Sequence, residues 1–217
     1  MKAIVWMTHS LKNWLKDPRV SAHDRQLAGQ MTEFYIEQYR AMLREHDPES
    51  VAYTIGSKID EVVAASRKKS PHGNQIRCTK GCNHCCKQVV AITLPEAQLL
   101  MRVIAEDAVA VPLERIDRQA KHDDDTWQSQ PEEDRACVFL ARDGTCKVYE
   151  YRPGSCRKHF VITDPDLCDI QKHPGHRVGM FFSAEAEIMQ SAQMTASESG
   201  PMPRMLLRAA QLQEAKQ

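Results

Sequence analysis

Four cysteines fall within nine residues of this chain, at Cys78, Cys82, Cys85 and Cys86, in the spacing C-x3-C-x2-C-C. Four more follow at Cys137, Cys146, Cys156 and Cys168. Core packing does not call for thiols at that density. A soft metal does, because thiolate is the ligand that zinc, Cu(I) and iron–sulfur clusters prefer. Close pairs clip a small ion at little loop-closure cost, and distant cysteines then complete the shell and tie the chain together. The pattern predicts a fold stapled by metal thiolates, with all eight cysteines as candidate ligands. Adjacent Cys85 and Cys86 point in different directions whether the backbone is helical or extended. One of them therefore serves a second site or only packs. Eight thiolates suit two four-coordinate sites, or one site with spare cysteines, and spacing leaves both open.

An even cysteine count also suits four disulfides, so the compartment decides between the readings. The opening Met1–Met7 has one lysine and a short apolar run, followed by polar Thr8-His9-Ser10 with no small-residue cleavage pattern. It reads as mature protein rather than a signal peptide. The expected location is therefore the reducing cytoplasm, where cysteines act as ligands or redox groups. Lys+Arg and Asp+Glu balance at 29 each, so no net field draws the chain to nucleic acid. No run approaches the roughly 18 apolar residues of a membrane span.

The rest of the chain reads as mainly α-helical. Leu27, Met31, Phe34 and Leu43 recur at helical spacing over residues 21–46, and Asp47-Pro48 ends the pattern. A second helix is expected from about Pro48 to Lys69, with Val51, Ile55, Ile59 and Val62 on its apolar side. The two suggest a helical hairpin. Arg67-Lys68-Lys69 suits a helix C-terminus. Thr93-Leu-Pro95-Glu96 is a capping box opening a helix that fades near Asp107. A further helical piece follows Pro112. Residues 121–133, with Asp123, Asp124 and Asp125, read as a solvated loop. Cys137–Leu140 and Cys146–Tyr149 read as two short strands about an Asp143-Gly144 turn, a small β-hairpin with a cysteine at the start of each strand. Helices are expected at about 180–196 and 203–215. The expected organisation is an N-terminal helical segment over 1–72, a cysteine-cluster domain over 73–178 and C-terminal helices over 179–217.

Basic residues lie beside the cysteines: Arg77, Lys80, Lys87, Lys147, Arg157 and Lys158. Such charges lower thiol pKa and offset a thiolate-bound metal. His84 and His159 are second-rank ligands, with His173 and His176 behind them.

These residues resemble a known family. Cys78 to Cys86, then Cys137-x-Phe139-Leu140, then Gly144-x-Cys146-x-x-Tyr149-Glu150-x-Arg152-Pro153-x-x-Cys156-Arg157, are similar to the zinc- or iron-chelating domain proteins named for a CxxCxxCC motif. The likeness covers about residues 78–160 and is most specific from Tyr149 to Arg157. A strict C-x2-C-x2-C-C is missed by one residue between Cys78 and Cys82. The resemblance implies bound zinc or iron, the latter also as an iron–sulfur cluster, with Arg152 and Arg157 as cofactor-binding residues. It implies no settled reaction.

Several functions compete. The first is a metal-chelating protein whose metal is structural, stored or used for electron transfer. The second is an iron–sulfur enzyme or accessory protein for electron or methyl transfer, since flagellin lysine methylases have a similar cysteine set. A third is a zinc-stapled module that meets a protein partner through the outer helices. Cys78-x3-Cys82-x2-Cys85 also has the spacing of radical S-adenosylmethionine enzymes. The chain lacks their alternating strands and helices, and His84 stands where an aromatic residue is usual. Cys82-x-x-Cys85 has dithiol spacing without a thioredoxin-like context.

Overall fold

A computed structural model describes residues 7–79, 81–123 and 125–215. The readings of Met1–Met7, Lys80 and Asp124 fall wholly or mostly outside the described residues. The chain is mainly α-helical, with one small antiparallel pair of strands.

Helix α1 (His9–Lys16) was not expected from the sequence. Thr8 caps it by accepting from Leu11 N, and Leu11 is fully buried. Helix α2 (Ala22–Glu45) starts at the Ser21 cap and α3 (Pro48–Lys69) at the Asp47 cap, with Pro48 in the first turn and three cations in the last. The two helices follow the expected bounds, but the hairpin between them is secondary. Helix α2 packs chiefly on α8 (Ala184–Ala196), and α3 on α4 (Leu94–Glu106).

The capping box forms as expected at the head of α4. Glu96 N meets Thr93 Oγ1 at 3.4 Å, and Thr93 N donates to Glu96 Oε2 at 2.8 Å. Strand β1 (Ala91–Thr93) leads into this cap. It pairs with β2 (Ser199–Pro201), Ile92 opposite Gly200. The regular β element thus joins distant parts of the chain. The expected hairpin at 137–149 is reduced to a turn with a single antiparallel bridge, Leu140 to Cys146, and Tyr149–Tyr151 forms a 3-10 turn. The tight turn and the short apolar runs were read correctly, but too few residues stay extended to build a ladder.

Helix α5 (Leu113–Gln119) follows Pro112, and α9 (Met202–Glu214) packs on α4 and α5. The stretch 121–133 is not simply a solvated loop. Trp127 is 3% exposed, and a short α6 (Glu132–Arg135) follows it. Helix α7 (Gly154–Arg157) packs on α3 and β1.

The largest core cluster joins Ala52 of α3, Ile92 of β1, Leu100 of α4, Ile116 of α5, Phe139 and Leu206 of α9. A second joins Ile59 and Val63 of α3 to Phe181 and Met189. Helix α8 is central rather than outer: every residue from Ala186 to Met194 is buried, including Glu187, Gln190 and Gln193. No membrane-spanning helix occurs among the described residues.

Candidate metal centre

Four chain segments carry the thiols, and backbone hydrogen bonds bring them together. The first segment begins where Arg77 N donates to Val161 O at 2.9 Å. In return Val161 N points at Cys78 Sγ, 3.3 Å away. Gly81 has φ +87, a left-handed conformation that costs glycine little, and it turns the chain toward Cys82. A 3-10 turn over His84–Lys87 then carries Cys85 and Cys86. The far end of that turn is pinned by Trp127, whose indole N–H donates to Lys87 O at 2.9 Å. A lone tryptophan in an otherwise polar run was the available sequence signal for this anchor.

Cys137 lies against the first segment, its N–H donating to Cys86 O at 2.8 Å. The 141–145 turn closes through Ala141 N to Thr145 O, and Gly144 adopts φ +82. A Cβ at Gly144 would stand 2.5 Å from Asn83 Nδ2, so this turn docks directly on the Cys82–Cys85 loop. Cys146 and Cys137 both pack against the main core beside Tyr151.

Cys156 sits on α7, which is wedged into the helical body. Gly154 N donates to Glu96 Oε1 at 2.8 Å, and Ser155 Oγ donates to Ala91 O at 2.7 Å. Arg157, 3% exposed, donates to Asp60 of α3 and to the carbonyls of Arg152 and Glu150. Arg152 reaches the same Asp60 at 3.1 Å and stacks over Tyr149. Both arginines therefore hold the Tyr149–Arg157 segment onto α3. Cys168 ends a 3-10 turn over Pro165–Cys168 that packs on the His84–Lys87 turn. Lys87 bridges the two, paired with Glu132 and, at 3.7 Å, with Asp169.

All eight cysteines are unbridged and partly buried. The flanking cations were expected to lower thiol pKa, but burial does the opposite. It pushes Cys137 up to about 12 and Cys168 up to about 11. Cys82, Cys146 and Cys156 are also raised, first by burial. Cys85 is raised first by its hydrogen bond with Cys86, then by burial. Several cations are engaged elsewhere: Lys147 donates to Ala110 O at 2.6 Å, and Lys158 pairs with Glu187 at 2.9 Å. Arg152 draws the Cys146 thiol, and Arg115 the Cys137 thiol, part of the way back.

Mutual repulsion identifies which thiols are neighbours. Cys168 is raised further by Cys85, Cys78 and Cys82, and Cys82 by Cys78 and Cys85. Cys156 is raised by Cys137, Cys85 and Cys146. Two triads emerge, Cys78/Cys82/Cys168 and Cys137/Cys146/Cys156, and Cys85 lies within electrostatic reach of members of both. Among the described residues, no three Cys, His, Asp or Glu side chains gather closely enough to hold an ion as they stand. The donor set nevertheless fits a thiophilic metal in kind and number. His84 adds a buried Nδ1 without a hydrogen-bond partner, the state of a nitrogen available to a metal. Burial and then Lys158 lower the pKa of His159, which keeps it neutral. His173 is held by Asp166 at 2.7 Å and packs on His176.

Residues 77–176 match the CxxCxxCC family, described as a "putative zinc- or iron-chelating domain". The match takes in all eight cysteines and runs past the 78–160 of the sequence resemblance to include Cys168. No curated protein and no solved structure matches the chain.

Proposed function

We propose, for a chain whose residues 77–176 match the CxxCxxCC domain, that it chelates zinc or iron at two four-thiolate sites. Cys78, Cys82 and Cys168 take one thiolate of the vicinal pair, and Cys137, Cys146 and Cys156 take the other. The observation that carries this reading is the pair of thiol triads that Cys85 adjoins. The side chains turn inward to close on an ion. His84 Nδ1 is the reserve ligand of the first site. Zinc held this way is a structural staple, whereas iron adds electron transfer. The protein's own contribution is to bring four segments together through Trp127, Asn83, Glu96 and Asp60, and to keep the thiols out of bulk water.

The test is to purify the protein without oxygen and measure metal, acid-labile sulfide and visible absorption together. Two equivalents of zinc in a colourless protein, or iron with matching sulfide in a brown one, support the reading and identify the metal. Cys168→Ser should lose the first site and keep the second, and Cys156→Ser the reverse. Cys82→Ser and Cys85→Ser should lose metal and lower the melting temperature, since ligation couples to folding. Metal-free wild-type protein, or unchanged metal content and melting temperature in Cys82, Cys85 and Cys156 variants, would overturn it.

A further inference from the structure

A groove of about 560 Å³ opens where the loop before α5 faces the Cys137–Cys146 turn. Val111 and Pro112 form one apolar wall, and Val138 and Leu140 the other. Three cations, Arg115, Arg142 and Lys147, also line it, and no carboxylate does among the described residues. The amine of Lys147 crosses from the turn to Ala110 O at 2.6 Å and ties the two walls together.

Arg115 is the unusual member. Its Nε is buried and has no hydrogen-bond partner. Among the described residues, other inward-facing cations have an acceptor or a carboxylate nearby: Arg135 has Gln130 O and Gln128, Arg157 has Asp60, Lys158 has Glu187, and Arg102, whose Nε also lacks a hydrogen bond, has Glu106 at 3.9 Å. A buried guanidinium N–H without an acceptor costs stability, and an anion removes that cost by a charge-assisted bond. Apolar walls around convergent cations are the composition of a site for a ligand with both characters. The volume also lies within the ordinary range of small-molecule sites, roughly 300–1,000 Å³.

We propose that this groove binds a small amphipathic anion, a carboxylate or phosphate on a short apolar body. Its headgroup sits on Arg115 and Arg142, and its body lies between Val111 and Leu140. The groove adjoins the candidate metal centre: it shares the Cys137–Cys146 turn as a wall, and Arg115 acts electrostatically on Cys137.

The test is calorimetric titration of the full chain, as purified, with phenyl phosphate, phenylacetate, inorganic phosphate and benzyl alcohol. One of the two organic anions should saturate with a Kd of about 1 mM or tighter, and which one does identifies the headgroup. Inorganic phosphate and benzyl alcohol should bind about tenfold more weakly, each lacking one half of the recognition. Arg115→Gln should weaken binding about tenfold. Should that variant fail to fold, Arg142→Gln and Arg142→Glu, at an exposed position, carry the test by progressively weaker binding. Absence of saturation by either organic anion overturns the proposal, and so does wild-type binding in both the Arg115 and Arg142 variants.

Discussion

At the scale of single residues, Glu96 does more than cap a helix. One carboxylate oxygen takes Thr93 N and Thr93 Oγ1, and the other takes Gly154 N at the start of the Cys156 turn. A capping box thereby also positions the turn of a candidate ligand, through Gly154 58 residues further on. Glu96→Ala leaves three donors without an acceptor and should destabilise the fold by about 2–3 kcal/mol in chemical denaturation. Burial raises the Glu96 pKa, against the pull of those donors and of Arg157. The folded state therefore holds this proton more tightly than the unfolded chain does. Its contribution is greatest below the ordinary value of 4.5 and is lost as pH rises through the folded pKa. Glu96→Gln cannot ionise. Its stability relative to wild type should improve as pH rises from about 4 to 7. A difference that stays flat with pH would contradict this.

At the scale of elements, α7 is fixed by one arginine passing close to a helix backbone. Arg157 lies so near α3 that a Cβ at Gly56 would stand 2.9 Å from its Nε. Glycine at position 56 lets the guanidinium reach Asp60 one turn along, where Arg152 also binds. A planar fork is needed to serve Asp60 and two carbonyls at once, and a lysine amine cannot reproduce it. Arg157→Lys should cost about 2 kcal/mol, below the range for breaking a fully buried pair because Asp60 is 38% exposed. Thermal unfolding would read this loss. The same variant should show weakened metal retention at Cys156, which separates local loosening from a uniform loss of stability.

At the scale of the whole molecule, the thiol segments lie across a helical body whose main cluster already joins α3, α4, α5 and α9. Metal removal should therefore loosen the segments that carry Cys78–Cys86, Cys137–Cys146, Cys156 and Cys168 more than that body, readable as faster hydrogen exchange confined to those segments. The raised thiols give this a pH dependence. At neutral pH they carry protons, so chelation releases protons and affinity should rise with pH. In metal-free protein the folded thiol pKa values exceed the ordinary 9.0, reaching about 11 at Cys168 and about 12 at Cys137. Stability from these groups is present below 9.0 and lost as pH rises through that window. Melting curves of metal-free protein should fall from about pH 9 upward, while metal-loaded protein, whose thiols are already ionised, should hold.

The sequence by itself determined the elements whose information is local. Helix α3 and the Thr93–Glu96 box were legible because caps, prolines and 3.6-residue periodicity act within a few residues. So was the likeness of residues 77–176 to the CxxCxxCC domain, because cysteine spacing and the Tyr149–Arg157 segment are local patterns. The approach of Cys168 to the first cysteine cluster was hidden, since it depends on the packing of two short 3-10 turns distant in the chain. Only the tertiary structure decided the fate of the cations. Arg157 and Lys158 were read as charges for the metal, but Asp60 and Glu187, far away in the chain, claim them. The place of α8 was hidden for a related reason. Its many polar residues suggest an exposed helix, yet Glu187 meets Lys158, and Ser191 accepts from Thr8 N, only once other segments surround them. Local rules fix what a segment becomes. Which groups lose their water, and therefore which charges and thiols are neutral, depends on contacts between residues distant in the chain.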